Sequence, residues 1–361
     1  MGLRAVFYIL VFFAGCSILG VIAGLHVSPS IPSNSVISFP PGKNIQTVEY
    51  AKDLRLPSVT KTKSVILSLV GDCTLGTDTT PNYRGSFNEY YSKYSAGYFF
   101  RKVAPVFWRS DISVANLEGT LTNFTTAQDK EYRFRGLPEY AEILNKGGIS
   151  AVNIANNHSK DYLEQGFNDT LAALEHYGIN YFGDGYKWEV KVNDVPIVFL
   201  GYAQWRCSPT AMQRDISYYV NRGVLVVVSF HWGEELAQEP SPVQRQLAYA
   251  AIDSGASLVF GHHPHVLQPM EFYKGKLIAY SLGNFCFGGN VNPRDKKTLI
   301  LQVKLFAQEG ILKGYIVNLI PCLISSEPSV NDYCPSIVTG DAARAIADNF
   351  AVISNYYYAA F

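Results

Sequence analysis

Ala256-Ser257-Leu258-Val259-Phe260-Gly261-His262-His263-Pro264-His265 joins a short apolar run to three of the chain's seven histidines. Such a run reads as a buried strand. Gly261 lets the backbone turn sharply where the strand ends. Pro264 stiffens the turn, so His263 and His265, two apart, can be aimed at one point. Neutral imidazole is the commonest protein metal ligand near neutral pH. A polar loop of solvated histidines is the plainer reading of this stretch alone.

The same grammar recurs along the chain. The apolar run 64–70 ends at Gly71-Asp72, and the run 111–116 passes into Asn116-Leu117-Glu118-Gly119. The run 149–154 ends in Ala155-Asn156-Asn157-His158, and 224–230 in His231-Trp232-Gly233-Glu234-Glu235. A carboxylate just past a buried strand is costly unless it is paired, metal-bound or solvated. Helical segments separate several of these strands. One opens at Pro138 and closes at Gly147-Gly148, as Pro-first and Gly-last helices do. Another carries Leu163, Phe167, Leu171 and Leu174 at helical spacing, and a third starts at Ser241-Pro242 and stops before Gly255. Strands alternating with helices pair largely in parallel, and their carboxyl ends share an edge. Ligand sites form outside that edge. Asp72, Glu118, Asn157 with His158, His231, and His263 with His265 therefore converge, which predicts a metal site. Mixed oxygen and nitrogen donors suit Mn, Zn or Fe, and a bridging carboxylate can hold two ions.

The remaining elements are brief. Residues 77–98 read as a long surface loop and 99–108 as a short helix. Two short strands flank the turn Asn193-Asp194, and 276–280 is a strand running into Ser281-Leu282-Gly283-Asn284-Phe285. A closing hairpin spans 298–306 and 311–320, with a helix over 341–349 before a Tyr-rich end.

Residues 5–25 contain no charged side chain and are long enough to cross a bilayer as a helix. Arg4 precedes the run and no Lys or Arg follows until Lys43, which keeps the tip inside and the body outside. An uncleaved signal anchor is the preferred reading; a cleaved signal, or a lipoprotein site at Phe13-Ala14-Gly15-Cys16, competes with it. The expected organisation is 1–25 anchor, 26–63 linker, 64–325 folded domain and 326–361 tail. Thirty basic residues balance thirty acidic ones, which argues against a nucleic-acid partner. Cys322 and Cys334 bracket a short loop and either pair as a disulfide or stay as buried thiols. With no CxxC pattern, a thiolate zinc site is not expected.

In this order and spacing, Gly71-Asp72, Asn116-Leu117-Glu118, Ala155-Asn156-Asn157-His158, His231-Trp232-Gly233 with Glu234-Glu235, Gly261-His262-His263-Pro264-His265 and Ser281-Leu282-Gly283-Asn284-Phe285 resemble the CapA family. Those proteins are linked to poly-gamma-glutamate capsule synthesis within the calcineurin-like metallophosphatase superfamily. The resemblance implies a four-layer αββα metallophosphatase-like sandwich with an N-terminal membrane anchor and an extracytoplasmic body. It implies one or two divalent ions. Asp72 and His265 would hold the first, Asn157, His231 and His263 the second, and Glu118 would bridge. His158 would protonate the leaving group, and Arg135 would clamp an anionic substrate unless it is an ordinary surface ion pair. His262 would be structural. The partners implied are poly-gamma-glutamate or a phosphate ester, the membrane and capsule synthase subunits. The run Asp72-Cys73-Thr74 lacks the histidine usual at this first strand, and Glu118 stands where Asp is usual. Those departures favour the alternative of a non-catalytic polymer assembly or tethering factor with a structural metal; His158 favours a metal-dependent hydrolase.

Overall fold

A computed structural model describes residues 5–14, 16–25, 62–78 and 83–350, with side chains from residue 62 on. The expected linker up to residue 61, and the Tyr-rich end 351–361, lie outside the described residues.

Two sheets build the body. At the centre of the larger lies Lys63–Thr74, whose residues from Leu67 to Thr74 are all buried. A strand with no exposed face has both sides covered, as in parallel sheets. On one side it pairs in parallel with Ile112–Leu117, followed by Ala151–Asn153 and Asn180–Phe182. On the other it pairs antiparallel with Lys297–Gln308, which continues into Ile311–Leu323. The smaller sheet runs in the order Leu267–Tyr273, Lys276–Leu282, Leu258–His262, Leu225–His231, Val195–Ala203, Lys187–Val192. Its four inner strands are parallel and its two edges antiparallel.

Period-two alternation then decides the layers. Val227 and Phe260 of the smaller sheet join Leu67, Leu69 and Val303 of the larger in one buried cluster, the seam between the sheets. Their neighbours Val226, Val228 and Val259 point the other way, onto Met212, Ile216, Leu247 and Ala251 of the helices Pro209–Val220 and Pro242–Asp253. Val70, Ala115 and Val152 likewise face Ile143, Leu171 and Leu174 of Ala141–Gly147 and Leu163–His176. The order is helix, sheet, sheet, helix. Strand carboxyl ends from both sheets meet at one edge, so the expected convergence spans two sheets rather than one.

Local signals act as expected at several ends. Ser241 caps its helix with a full capping box closed by Gln244. Gly148 ends another in the left-handed conformation, φ +80°.

Elsewhere the structure differs from the expectation. Within 77–98, read as loop, Phe87–Tyr94 is a helix whose Ser86 side chain accepts from the Glu89 N–H. Buried Phe87 stacks on Phe99 with centroids 4.4 Å apart. The Ser-x-x-Glu start was a capping signal, masked by the polar and aromatic composition around it. Only Ala104–Phe107 of 99–108 is α-helical. Ala5–Ala14 and Cys16–Leu25 form antiparallel strands added to the edge strand Ile311–Leu323, where the apolar run had suggested a helix. Val, Ile, Phe and Tyr favour strands, and an open sheet edge offers unpaired backbone groups to such a run. No helix among the described residues is long and apolar enough to cross a membrane. Cys322 and Cys334 are buried free thiols. Residues 326–350 pack onto the body: Ser336–Ile337 pairs with Ile311–Leu323, and Ile346 and Phe350 enter the seam between the sheets.

Candidate metal centre

Asp72 sits near the end of its strand, where Gly71 crosses Gly283. A Cβ at position 71 would lie 1.8 Å from the Gly283 carbonyl oxygen, so only glycine permits the crossing. The Asp72 N–H donates to that carbonyl at 2.9 Å. Its carboxylate accepts from the Asn116 side-chain amide at 2.8 Å and from the His263 N–H at 3.2 Å. His265 Nδ1 lies 3.3 Å from Asp72 Oδ2 and 2.9 Å from Asn284 Oδ1.

Glu118 follows the strand Ile112–Leu117 and is fully buried. Neither carboxylate oxygen has a hydrogen-bond partner. His231 Nε2 lies 3.5 Å from Oε1 and His265 Nδ1 3.9 Å from Oε2. His231 Nε2 also meets Asn157 Oδ1 at 2.7 Å, while its Nδ1 is 3.3 Å from the Asn116 amide nitrogen. Buried His263 Nδ1 has no hydrogen-bond partner. His263 and His265 both have left-handed backbones, φ +95° and +59°. For a non-glycine residue that conformation costs roughly 1–3 kcal/mol and persists only where surrounding structure enforces it.

Three groups of potential ligand atoms emerge, each within 4.8 Å internally: one of Glu235, His263 and His265, and two others, Asp72, Glu118 and His265, and Glu118, His231 and His263. Glu118 belongs to both of the latter. Among the described residues, the six positions expected as ligands are thus brought together, Asn157 through His231.

Electrostatics sharpen the picture. Burial pushes the Glu118 carboxyl up to about 7. It also pushes His231 and His263 down to about 3 and His262 down to about 4, leaving neutral imidazoles. Burial works against charge on Asp72 and His265 as well, but their mutual hydrogen bond prevails. Asp72 is held below the usual carboxylate range, and His265, facing the Glu118 charge too, rises to about 10. Unpartnered oxygens on a buried carboxylate, beside neutral imidazoles, fit a divalent transition ion.

His158 lies on the same loop as Asn157. Its Nδ1 is 2.7 Å from Asp161 Oδ2. Asp161 is itself fully buried, accepts the Phe134 N–H at 2.7 Å and pairs with Lys130 Nζ at 2.5 Å. Lys130 also donates to the Asn157 carbonyl at 2.9 Å. Arg135, expected as an anion clamp, donates instead to the Phe124 carbonyl at 2.9 Å and sits over the Tyr162 ring. Those contacts hold a loop and leave Arg135 outside the ligand groups. His262 is fully buried, with Nδ1 3.6 Å from Asp72 Oδ1. Asn116 and Asn284 stood in quoted motifs without a site role, and Asp161 and Lys130 escaped the sequence reading. Only Asp161, three residues after His158, carried a local signal.

The family model described as "Bacterial capsule synthesis protein PGA_cap" matches residues 66–289. "PGA biosynthesis protein CapA" of Bacillus subtilis (strain 168) is 36% identical over 214 residues, covering 52% of this chain and 56% of the relative. The chain thus spans little more than half the length of that relative. "Capsule biosynthesis protein CapA" of Bacillus anthracis is 32% identical over 291 residues, covering 69% of each. Among solved structures, TT1561 of Thermus thermophilus overlaps 70% of this chain and 98% of its own at 12% identity and a TM-score of 0.38, too slight a likeness to bear on the fold.

Proposed function

The chain belongs to the bacterial capsule synthesis family PGA_cap, and we propose that it serves poly-gamma-glutamate capsule synthesis or export through a metallophosphatase-like, metal-dependent hydrolase site. The observation that carries this reading is the Glu118 carboxylate, buried with both oxygens unpartnered between the imidazoles of His231 and His265. Asp72, Glu118 and His265 would hold one ion; Glu118, Asn157, His231 and His263 would hold a second. When bound, such ions polarise an acyl or phosphoryl oxygen and ease deprotonation of water at neutral pH.

The chain's own residues supply the rest. Asp161 would accept from His158 Nδ1 and orient the ring, so that when both ring nitrogens carry protons Nε2 can donate one to the leaving group. Lys130 pairs with Asp161 and ties it to the Asn157 loop. A buried acid–histidine pair beside a ligand favours catalysis over a purely structural metal. The assembly-factor alternative draws support from the first position, where Cys73 and Thr74 follow Asp72 and offer no imidazole. The substrates in view are gamma-linked glutamate polymer and phosphate esters. A membrane-anchored body facing outward, near capsule synthase subunits, would require the uncharged run 5–25 to leave the sheet edge on which its strands pair in this structure. A screen of the metal-loaded chain on gamma-glutamyl peptides and phosphate esters tests the hydrolase reading. Turnover that vanishes in His158→Ala supports it, and no turnover on either class contradicts it.

A further inference from the structure

Glu235 is not among the ligands of the centre proposed above. Its carboxylate lies within 4.8 Å of ligand nitrogens on both His263 and His265. Those are imidazoles from the two groups that Glu118 also joins. One glutamate approaches them from the interior, fully buried; the other approaches from solvent.

This placement is enforced by the backbone. Leu236, the next residue, adopts φ +61° and donates its N–H to the Pro264 carbonyl at 2.8 Å, between His263 and His265. On the other side, Gly233 turns at φ +85° and donates to the Gln204 side chain at 3.0 Å. Gln268, fully buried, donates to the Ala237 carbonyl at 2.8 Å and accepts from Gln244 at 2.8 Å. Residues 233–237 are thereby fastened to the ligand loop. Among the described residues Glu235 makes no hydrogen bond or ion pair. Within the same centre, His263 Nδ1 and both Glu118 oxygens are buried without hydrogen-bond partners.

We propose that Glu235 is a further metal ligand, closing from the solvent side the pair of positions that Glu118 bridges from the interior. The inference rests on the metal centre proposed above. The second position gains most, since its only carboxylate is otherwise the shared Glu118. Because Glu235 is exposed, it is also the donor an incoming oxygen anion must displace. It therefore sets a threshold for carboxylate or phosphate groups entering the site.

Equilibrium dialysis of the full chain against Mn²⁺ alone tests this, with inorganic phosphate binding to the Mn²⁺-loaded chain as the second readout. Glu235→Gln should hold Mn²⁺ about tenfold more weakly or worse, while Glu234→Gln matches the parent. At saturating Mn²⁺, Glu235→Gln should bind phosphate more tightly than the parent. Unchanged Mn²⁺ affinity in Glu235→Gln, where Glu118→Gln loses the ion, overturns the Glu235 assignment and leaves the centre standing. A parent chain that takes up no Mn²⁺, Zn²⁺ or Fe²⁺ takes both readings down together.

Discussion

Glu118 Oε1 and His231 Nε2 lie 3.5 Å apart, both fully buried, and they come from different sheets. Glu118 follows a strand of the larger sheet; His231 ends a strand of the smaller. A cation between them would join the two halves of the sandwich at their shared edge. Metal binding and stability are therefore linked: an ion that binds only the folded chain adds about 2.7 kcal/mol at one hundred times its Kd. Chelation should lower the thermal midpoint by roughly 4–5 °C for a body of this size. Calorimetry with and without chelator reads it, and an unmoved midpoint would count against the linkage.

The second prediction concerns the acid–histidine pair. His158→Ala should keep its metal and lose about 10²- to 10⁴-fold in turnover on whichever substrate the screen identifies. Asp161→Asn should lose part of that and also shift the pH profile, because Asp161 acts through His158. Parent-like rates in both variants, with metal retained, would favour the assembly role. Complementation of a capsule-deficient deletion strain by His158→Ala would point the same way.

Gly71 gives a third. Any side chain at 71 meets the Gly283 backbone, which cannot retreat without moving Asp72 and the strand Asn284–Phe287. Overpacking of this kind costs typically about 1–3 kcal/mol. Gly71→Ala should lower the urea midpoint and weaken metal binding in the same variant. A stable Gly71→Ala chain with full metal affinity would show that the crossing does not position Asp72.

Topology is the fourth. If the run 5–25 anchors the chain with its body outside, protease added to intact cells should digest the body. Complete protection, with digestion only after lysis, would place the body inside.

Much of this architecture was legible because the informative residues terminate strands. Asp72, Glu118, His231 and the His263–His265 pair each follow an apolar run, so periodicity located them. The Asn193-Asp194 turn and the Ser241 capping box were equally local. What the sequence hid was long-range. Nothing in 298–320 announces that Lys297–Gln308 pairs with Lys63–Thr74, more than two hundred residues earlier, or that the strands divide into two sheets. The helix Phe87–Tyr94 was missed because its buried face is aromatic rather than aliphatic. The run 5–25 is apolar enough for either a helix or strands, and composition alone does not choose. Around the site, Asn116, Asn284 and Lys130 find their partners through the three-dimensional meeting of loops, which no spacing rule encodes.

The most direct test is the metal content of the purified full chain beside Glu118→Gln and His263→Ala, with His176→Ala, at the end of the helix Leu163–His176 and outside the ligand groups, as control. The account predicts one to two equivalents of Mn, Zn or Fe in the parent and the control, and a loss in Glu118→Gln and His263→Ala. Equal metal in all four, or none in the parent after incubation with each ion, would contradict a metal centre built on Glu118.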